Sequence, residues 1–485
     1  MLAWALRALA LALPVLRAGT TPVLDAGDAE VALQRFNATL SGLQQYYWSA
    51  SGGTWVSCGQ NGGGGGAGRF GCSCEWVDGH DCLSCYRWWG AQALQALVQL
   101  GGASPGLHHI REVVSGLAET MLLKSPYNAA FGRRMSWVYI DDYLWYVLAF
   151  LSTYEWLKDK RYLDMARDTY DFLREKGWDS DCGGSYWIVN PQPVAMPPAS
   201  EKNAVTNLEM MQAAAKLHLI TGEERYALEA QQMWDWLMAA PFRDADGLLG
   251  DGLTGTAGLQ TDCCNGTSSR AEKPRCMRNG KPSYTYNQGL FVGNAELLFR
   301  ITGIRSYLDE AERTLWAVLR RMTAGGVLRE PLQQTPAALA VTCEPKNDPG
   351  GDPYSFKGVL ALQLAGALRG PALAGELRAR LRGLLARSSD AAWGLRKEPP
   401  WPQSPPDVCA DPAFAGLSSG APKFPWYWIY VSKSSETSAH VCMDARTQIS
   451  ALSLFAAHFL VASEATDGTG GSQGAASADQ PDLFM

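Results

Sequence analysis

The chain has 485 residues, of which 47% are hydrophobic, and a formal net charge of −6 at pH 7. This composition is ordinary for a folded globular protein, and the length suits one large domain or two to three medium ones. A mildly acidic chain without a dense stripe of Lys and Arg is not expected to bind nucleic acid, which requires a basic surface.

The two ends of the chain predict secretion. Arg7, the apolar stretch 8–16 and a small-residue exit at Ala18 predict a secretory signal peptide over residues 1–18. The apolar part is too short for a transmembrane anchor. Residues 463–485 are polar, which predicts a flexible tail without a lipid-anchor signal. We therefore expect an extracellular monomer, with the cell wall or the periplasmic space among its destinations.

The number of cysteines is also typical of a secreted protein. There are twelve, an even number, and in a secreted chain they predict mostly disulfides. Five lie in residues 52–86, which we interpret as a Cys-rich insertion into a domain spanning 19–462. A zinc site is the alternative there, because Cys82-Leu-Ser-Cys85 with nearby His80 resembles half a zinc knuckle. We predict disulfides and no metal. Asn37 and Asn265 begin glycosylation sequons.

A helical repeat organises the centre of the chain. Three segments, starting at Lys158, Thr221 and Thr302, each contain a turn and then the pattern Tyr-x-x-x-Ala, followed by large apolar residues at helical spacing. The Tyr/Ala pairs are Tyr162/Ala166, Tyr226/Ala230 and Tyr307/Ala311. Each segment follows a more uniformly apolar helix, predicted at Asp141–Leu157, Asn203–Ile220 and Tyr286–Ile301. A helix that is apolar all round belongs inside a fold and an amphipathic one outside, so the repeat unit is an inner–outer hairpin.

The same template predicts further helices on both sides. We expect Val31–Tyr47 to pair with Trp88–Leu100, an outer helix at His108–Leu123, a pair Tyr354–Leu368 with Ala372–Leu385, and a last helix at Val441–Val461. The total is close to twelve, and no strand pattern of any length competes. The prediction is an all-α fold, a six-hairpin (α/α)6 toroid or barrel.

Asp141 and Asp142 begin the second inner helix, directly before a long apolar and aromatic run. The dipole and free N–H groups of a helix N-terminus favour negative charge there, and a single Asp would be explained as a cap. A cap needs one carboxylate, however, and each of these projects from an apolar stripe. Two like charges in a partly dry site force their pKa values apart, which provides one nucleophile and one acid. Retaining glycoside hydrolysis requires that pair.

Six motifs then resemble glycoside hydrolase family 76, the endo-α-1,6-mannanases. They are "YIDDYLWYVLAF", "GWDSDCGGSYW", "EKNAVTN", "DGL", "TYNQG" and "SFKG", in the family's order, and the resemblance covers roughly Val31 to Ala462. It implies a six-hairpin toroid, retaining cleavage of α-1,6-linked mannose in mannan, and no cofactor. By position, Asp141 would be the nucleophile and Asp142 the general acid/base.

The resemblance also implies a substrate cleft. The positions that match its lining are Trp88, Trp187, Asn203, Asn207, Asp251, Tyr286, Asn287, Gln288 and Lys357. Trp88 and Trp187 are candidates for stacking on sugar rings, and the amides suit mannose hydroxyls because they donate and accept together. For each residue a capping or core role is the alternative. The chain departs from the pattern in the Cys-rich insertion and in long loops near 335–353 and 399–425.

Three functional hypotheses remain open from the sequence. A secreted endo-α-1,6-mannanase is the first, and a mannan transglycosylase of wall remodelling would use the same two Asp residues. A non-catalytic glycan-binding wall protein is the third, and the intact Asp pair argues against it. An inverting glycosidase would need a second carboxylate from a distant helix, such as Glu209 or Glu296. No phosphate-binding loop and no zinc-protease helix is present in the sequence.

Overall fold

A computed structural model of the chain describes residues 26–49, 54–55, 88–104, 106–124, 138–180, 183–189, 201–254, 277–331, 352–370, 373, 375–396, 421–422, 424, 428 and 445–467. The predicted signal peptide, all twelve cysteines, Asn265 and residues 468–485 lie outside these ranges. Predictions about the disulfides and the far tail therefore remain predictions.

The described residues form twelve α-helices: α1 Ala26–Tyr47, α2 Trp88–Ala103, α3 His108–Lys124, α4 Ile140–Leu157, α5 Lys160–Gly177, α6 Ala204–Thr221, α7 Glu224–Ala239, α8 Thr285–Thr302, α9 Ser306–Arg321, α10 Pro353–Arg369, α11 Gly375–Gly394 and α12 Ala445–Asp467. The bounds of the three repeat hairpins differ from the predicted ones by one to a few residues. Helix α12 continues six residues beyond the predicted Val461.

Six of these helices form a closed inner ring. Helices α2, α4, α6, α8, α10 and α12 each pack against the next, and α12 packs back against α2. The odd-numbered helices cover them from outside. Long stretches of the inner helices are buried on every side, as at Tyr143–Thr153 of α4 and Ala204–Leu217 of α6. The predicted all-α toroid is confirmed.

The three central hairpins repeat the same local chemistry. Each inner helix ends at a residue with left-handed backbone, Lys158, Gly222 or Gly303, which turns the chain back into the outer helix. The Tyr and Ala of every Tyr-x-x-x-Ala pattern are buried against the inner ring. The repeat thus encodes the side of each outer helix that faces inward.

The outer position of the first helix differs from the prediction. Helix α1 packs mainly against α12 rather than α2. Gln448 of α12 donates from Nε2 to the Thr39 carbonyl at 3.1 Å, and Arg35 pairs with Asp390 of α11 at 2.8 Å. Helix α2 already has α3 as its outer partner, whereas no described helix follows α12. The apolar outer side of α12 is therefore covered by α1, from the other end of the domain.

Short antiparallel strands connect the loops that precede the inner helices. They are β1 Trp48–Ser49, β2 Thr54–Trp55, β3 Val138–Tyr139, β4 Ile188–Val189, β5 Lys202–Asn203, β6 Gly252–Thr254, β7 Met277–Arg278, β8 Thr323–Ala324 and β9 Val327–Leu328. β3 pairs with β4, and β5, β6 and β7 form one small sheet. The strands of these two sheets lie in the loops before α4, α6 and α8, and they connect the N-terminal ends of these helices. No helix in the described ranges has the length and apolarity required to cross a membrane.

A glycine in α1 tests the contact by which this outer helix covers α12. A methyl group at Gly42 would lie 2.5 Å from Gln448 Nε2 and 2.9 Å from the Pro422 carbonyl oxygen. Ala is better than Gly in a helix by about 0.8–1 kcal/mol, but here the clash with backbone should outweigh that gain, so Gly42→Ala should destabilise the protein by about 1–3 kcal/mol.

Gly116 of α3 is the matched control, because nothing lies within 4 Å of an added methyl group there. Gly116→Ala should raise the free energy of unfolding by about 0.5–1 kcal/mol. Denaturant unfolding measures both variants. A stabilised Gly42→Ala variant would contradict the packing of α1 on α12.

Candidate active site

Asp141 and Asp142 lie in the first turn of α4, and both side chains are partly exposed. Tyr139 occupies the N-cap position without a side-chain hydrogen bond to the helix. The backbone N–H of Asp142 donates to Asp141 Oδ1 at 3.0 Å, so Asp141 satisfies one free N–H of the first turn. This local bond is the capping role that the sequence allowed, and it involves one of the two carboxylates.

Trp187 makes a second set of bonds to Asp141, from a separate loop. Its indole Nε1–H lies 3.0 Å from Oδ1 and 2.9 Å from Oδ2 of Asp141. The Trp187 carbonyl also accepts from the backbone N–H of Ile140 at 2.9 Å, and its own N–H donates to the Glu201 carbonyl at 2.8 Å. Trp187 therefore holds both the carboxylate and the helix turn that carries it.

The Trp187 loop is itself anchored by a buried ion pair. Lys202, which has no exposed side-chain surface, donates from Nζ to Asp179 Oδ2 and to the Gly183 carbonyl, both at 2.6 Å. The Tyr186 hydroxyl donates to the same Asp179 oxygen at 3.0 Å. Removing one member of a buried pair typically costs ~3–5 kcal/mol, so this arrangement fixes the loop firmly.

Burial raises the pKa of Asp141 well above its ordinary value, and the neighbouring charge of Asp142 raises it further. The hydrogen bonds from the Asp142 N–H and from Trp187 act in the opposite direction, because they stabilise the carboxylate. Two interacting carboxyl groups of this kind titrate as a pair. The arrangement supports a state with one proton shared between Asp141 and Asp142 and one negative charge.

An aromatic wall continues from the Asp pair. Trp88 lies 5.1 Å from Trp145, one turn below Asp141, and 5.9 Å from Phe356 of α10, measured between ring centroids. Phe356 stacks on Tyr286 of α8 at 3.8 Å with rings nearly parallel. The indole N–H of Trp88 donates to Asp352 at 3.1 Å, and the charge of Asp352 acts on Asp141. The wall thus joins four inner helices beside the carboxylates.

A second polar group lies around Asp251, in the loop before β6. The Tyr286 hydroxyl donates to Asp251 Oδ1 at 3.2 Å, and Lys281 Nζ lies 3.3 Å from Oδ2. Lys281 also pairs with Glu201 and lies over the Trp187 ring. Burial lowers the pKa of Lys281, but the charges of Asp251 and Glu201 outweigh that effect and raise it. The cationic Lys281 connects the Asp251 group to the Trp187 loop.

Three of the amide side chains predicted to bind substrate form hydrogen bonds with the backbone in this structure. Asn203 caps α6 by accepting from the Thr206 N–H, and Asn207 bonds to both the N–H and the carbonyl of Ser185. Gln288 makes the same two bonds with Leu249. All three are buried, so they shape the loops that carry Trp187 and Asp251. Asn287 is fully buried, and its amide atoms have no hydrogen-bond partner among the described residues.

Lys357 is fully buried as well. Its ammonium lies 4.3 Å from the centroid of the Trp428 ring and interacts electrostatically with Glu330, which accepts from the backbone N–H and the hydroxyl of Thr285. Burial lowers the pKa of Lys357 and raises that of Glu330. This pair supports the start of α8 from beneath the cleft surface.

The two carboxylates weighed for an inverting mechanism lie in different places. Burial, together with the charges of Asp141 and Asp142, raises the pKa of Glu209 on α6. The charges that affect the pKa of Glu296, on α8, are instead those of Arg300 and Arg378. Glu296 lies close to Gly370, directly after the end of α10. Glu209 therefore belongs to the Asp pair's surroundings and Glu296 does not. Within the described ranges, no three His, Cys, Asp or Glu side chains are arranged to hold a metal ion.

Lys281, Asp352 and Phe356 contact the predicted site residues but had no role predicted from the sequence. Lys281 begins the loop that leads into "TYNQG", and Phe356 lies inside "SFKG". Their motifs were therefore visible, but their contacts with Trp187, Trp88 and Tyr286 join segments that are far apart in the chain.

The sequence is similar to a known protein family and to two curated proteins. The family model for glycosyl hydrolase family 76 matches residues 38–403. A Candida albicans protein named "mannan endo-1,6-alpha-mannosidase DCW1" is 22% identical over 202 residues, which are 41% of this chain and 38% of that protein. A putative mannan endo-1,6-alpha-mannosidase of Schizosaccharomyces pombe is 25% identical over 205 residues, 41% of this chain and 39% of its own. The matched part thus spans well under half the length of these curated relatives.

Solved structures share the fold over nearly the whole chain. An inactive variant of the α-1,6-mannanase GH76A of Salegentibacter sp. HEL1_6, in complex with α-1,6-mannotriose, has a TM-score of 0.61 at 20% identity, covering 90% of this chain and 99% of that one. Dfg5 from Chaetomium thermophilum, in complex with glucosamine, has a TM-score of 0.56 at 18% identity, covering 94% and 97%. Since the family model matches well over half of the sequence, the chain belongs to glycosyl hydrolase family 76.

Proposed function

We propose that this protein is a secreted glycoside hydrolase that cleaves α-1,6-linked mannan internally and with retention of configuration. The observation that carries the proposal is the Asp pair at the N-terminus of α4, with Asp141 held through both oxygens by Trp187. A site with one shared proton and one negative charge provides the acid and the nucleophile of a double displacement.

The contacts favour Asp141 as the nucleophile. Its carboxylate is oriented by the indole N–H of Trp187 and the backbone N–H of Asp142, and these donors act against the burial and the Asp142 charge that raise its pKa. In the first step an oxygen of Asp141 bonds to the anomeric carbon, the glycosidic bond breaks, and Asp142 gives its proton to the departing oxygen. Water then attacks the same carbon, returns a proton to Asp142 and releases Asp141, so the configuration is restored.

The adjacency of the two residues supports retention. Consecutive Cα atoms are only ~3.8 Å apart, so two short Asp side chains can reach the ~5–5.5 Å separation of retaining enzymes. An inverting site needs ~6.5–9.5 Å to hold a water between the carboxyl groups. Glu209 has no exposed surface and could not contact a water in the cleft.

The choice of substrate rests on the relatives. A similar structure contains α-1,6-mannotriose, bound to a variant called inactive in which two consecutive aspartates are replaced by asparagine. Both curated relatives are named as mannan endo-1,6-alpha-mannosidases. Among the predicted binding residues, Trp88, Trp187, Asp251 and Tyr286 are assigned to sugar contacts, because they belong to the aromatic wall or to the polar groups beside the Asp pair. The proposed secretion rests on the N-terminal pattern and the twelve cysteines.

Digestion of linear α-1,6-mannan tests the function. We expect a ladder of oligosaccharides rather than mannose alone, and proton NMR of early products should show the α-anomer first, because two displacements restore the configuration. Early β-mannose would show inversion and contradict the assignment of the Asp pair. Longer products formed only with added acceptor sugars would indicate transglycosylation instead.

Replacing each aspartate should affect a different step. Asp141→Asn removes the nucleophile and should abolish turnover on every substrate. Asp142→Asn removes the proton donor, so aryl mannosides with an acidic phenol leaving group should keep more activity than mannan. Turnover on both substrates is the measurement.

Asp168→Asn, on the exposed side of α5, is the matched control and should leave activity unchanged. The Asp141→Asn variant should also be no less stable than wild type at neutral pH. The pKa of Asp141 is raised by folding, so its ionisation costs stability as pH rises from about 4 towards the folded value. Equal, mild losses of activity in both variants would contradict the two roles.

Trp187→Phe isolates the indole hydrogen bond, because the ring remains and the N–H is lost. Hydrogen bonds to charged groups contribute about 1.5–3 kcal/mol, so kcat should fall about 10- to 100-fold. Trp178→Phe, nine residues earlier against Arg174, is the control and should retain full activity. A fully active Trp187→Phe enzyme would mean that Asp141 does not depend on this bond.

A further inference from the structure

A second pocket lies on the axis of the toroid, and residues from all six inner helices line it. Its described lining contains none of the residues assigned to the candidate active site. Ser152 and Glu155 of α4 belong to it, about 17 and 21 Å along the helix from Asp141 at a rise of about 1.5 Å per residue. Arg369, the last residue of α10, also lines it. The pocket therefore lies towards the C-terminal ends of the inner helices, opposite the Asp pair, and we call it the rear pocket.

Amide side chains line the rear pocket. Gln95 of α2 is only 7% exposed, and its Nε2 has no hydrogen-bond partner among the described residues. Gln212 of α6 and Gln363 of α10 bond to each other, with Gln212 Nε2 at 3.1 Å from Gln363 Oε1. A buried amide donor without a partner costs free energy, so such groups are normally satisfied by protein, water or ligand. The Gln95 amide is thus a donor available to a molecule in the pocket.

A glycine leaves the space that this pocket occupies. Gly293, in the middle of α8, lines the pocket, and a methyl group there would collide with Gln363 Oε1 and lie 2.8 Å from Gln212 Nε2. The empty volume of the pocket, including its open mouth, is about 710 Å³. One water accounts for ~30 Å³ of the liquid, so a single bridging water does not fill this space.

The charges at the mouth favour a neutral ligand. Lys216 pairs with Glu155 at 2.8 Å, and Arg369 pairs with Glu464 at 2.9 Å, so the cations that line the pocket are already neutralised. The C-terminal ends of helices carry partial negative charge, which disfavours an anion at this end of the ring. Amides can donate to and accept from hydroxyl groups, which makes a neutral ligand with several hydroxyls the best match.

We propose that the rear pocket is a second, non-catalytic binding site that takes one ring of a neutral sugar. The Gln95 amide donates to one hydroxyl oxygen, and the Gln212–Gln363 pair exchanges hydrogen bonds with others. Leu297 and Leu362 of the pocket wall contact the C–H groups of the ring. The site itself goes beyond the proposed function, and only the choice of mannose as the probe rests on that function.

Methyl NMR of the whole protein during titration with D-mannose tests the site. The methyl groups of Leu297, Leu362 and Leu460 lie in the wall of the rear pocket, whereas Leu144 lies two residues after Asp142. Mannose should shift the rear-pocket signals saturably, whether or not it also shifts those of Leu144. Rear-pocket signals that do not respond would overturn the proposal. A response to inorganic phosphate equal to that to mannose would overturn it as well, because it would show an anion site.

Two substitutions remove the site in different ways. Gln95→Leu replaces the free donor by an apolar group of similar size, and Gly293→Ala pushes the Gln212–Gln363 pair into the pocket. Each should weaken the affinity for mannose reported by the rear-pocket signals by about fivefold or more, as expected for the loss of one hydrogen bond. Gln231→Leu is the matched control, because Gln231 on the outer helix α7 bonds only within its own helix, to the Ala227 carbonyl. It should leave the affinity unchanged.

Wild-type affinity in both rear-pocket variants would overturn the proposal. If Gln95→Leu does not fold, Gly293→Ala provides the same test, because the atoms that its methyl group displaces are the ends of flexible side chains. The NMR readout does not depend on turnover. A protein that binds mannose in the rear pocket but does not cleave mannan would therefore contradict the proposed function alone.

Discussion

The structure depends on inner helices that are apolar on every side. Such a helix cannot leave any face in water, so each of the six needs a neighbour on both sides and a cover outside. A closed ring satisfies this requirement for all six at once. The final inner helix has no successor among the described helices, and α1 covers it from the other end of the domain. The ring is therefore complete only when both ends of the domain meet.

Closing the ring also brings together the ends of the inner helices. The loops that precede α4, α6 and α8 are tied by short strands, and the N-terminal ends of these helices carry Asp141, Asn203 and Tyr286. Helix dipoles favour negative charge at this edge, while the aromatic wall keeps it partly dry. The same geometry thus attracts carboxylates and raises the pKa of those that are buried. A site for acid–base chemistry results from the packing itself.

The polar residues around this edge form two groups, those with hydrogen-bond partners in the described structure and one without. Asn207, Gln288 and the Lys202–Asp179 pair bind backbone or each other and hold the loops rigid. Their buried polar groups are paired, so removing one partner would leave the other unsatisfied and would disturb the loops. Glu209 lies in the same region without such partners. A buried carboxyl group without hydrogen bonds costs free energy when it is ionised, so burial raises its pKa.

Local periodicity in the sequence was sufficient to predict the helices, the inner or outer placement of those in the three repeat hairpins, the toroid and the position of the Asp pair. These features depend on residues three or four positions apart, which any single segment contains. The pairing of α1 with α12, the bond from Trp187 to Asp141 across 46 residues, and the burial of Asn207, Gln288 and Lys357 became clear only in the tertiary structure. A motif specifies which residue types are present, but the contacts of a side chain depend on which distant segment packs over it. For that reason Glu209 and Glu296 were equivalent candidates in the sequence. Only the packing of the inner helices distinguishes them, because the charges of the Asp pair act on Glu209 and those of Arg300 and Arg378 act on Glu296.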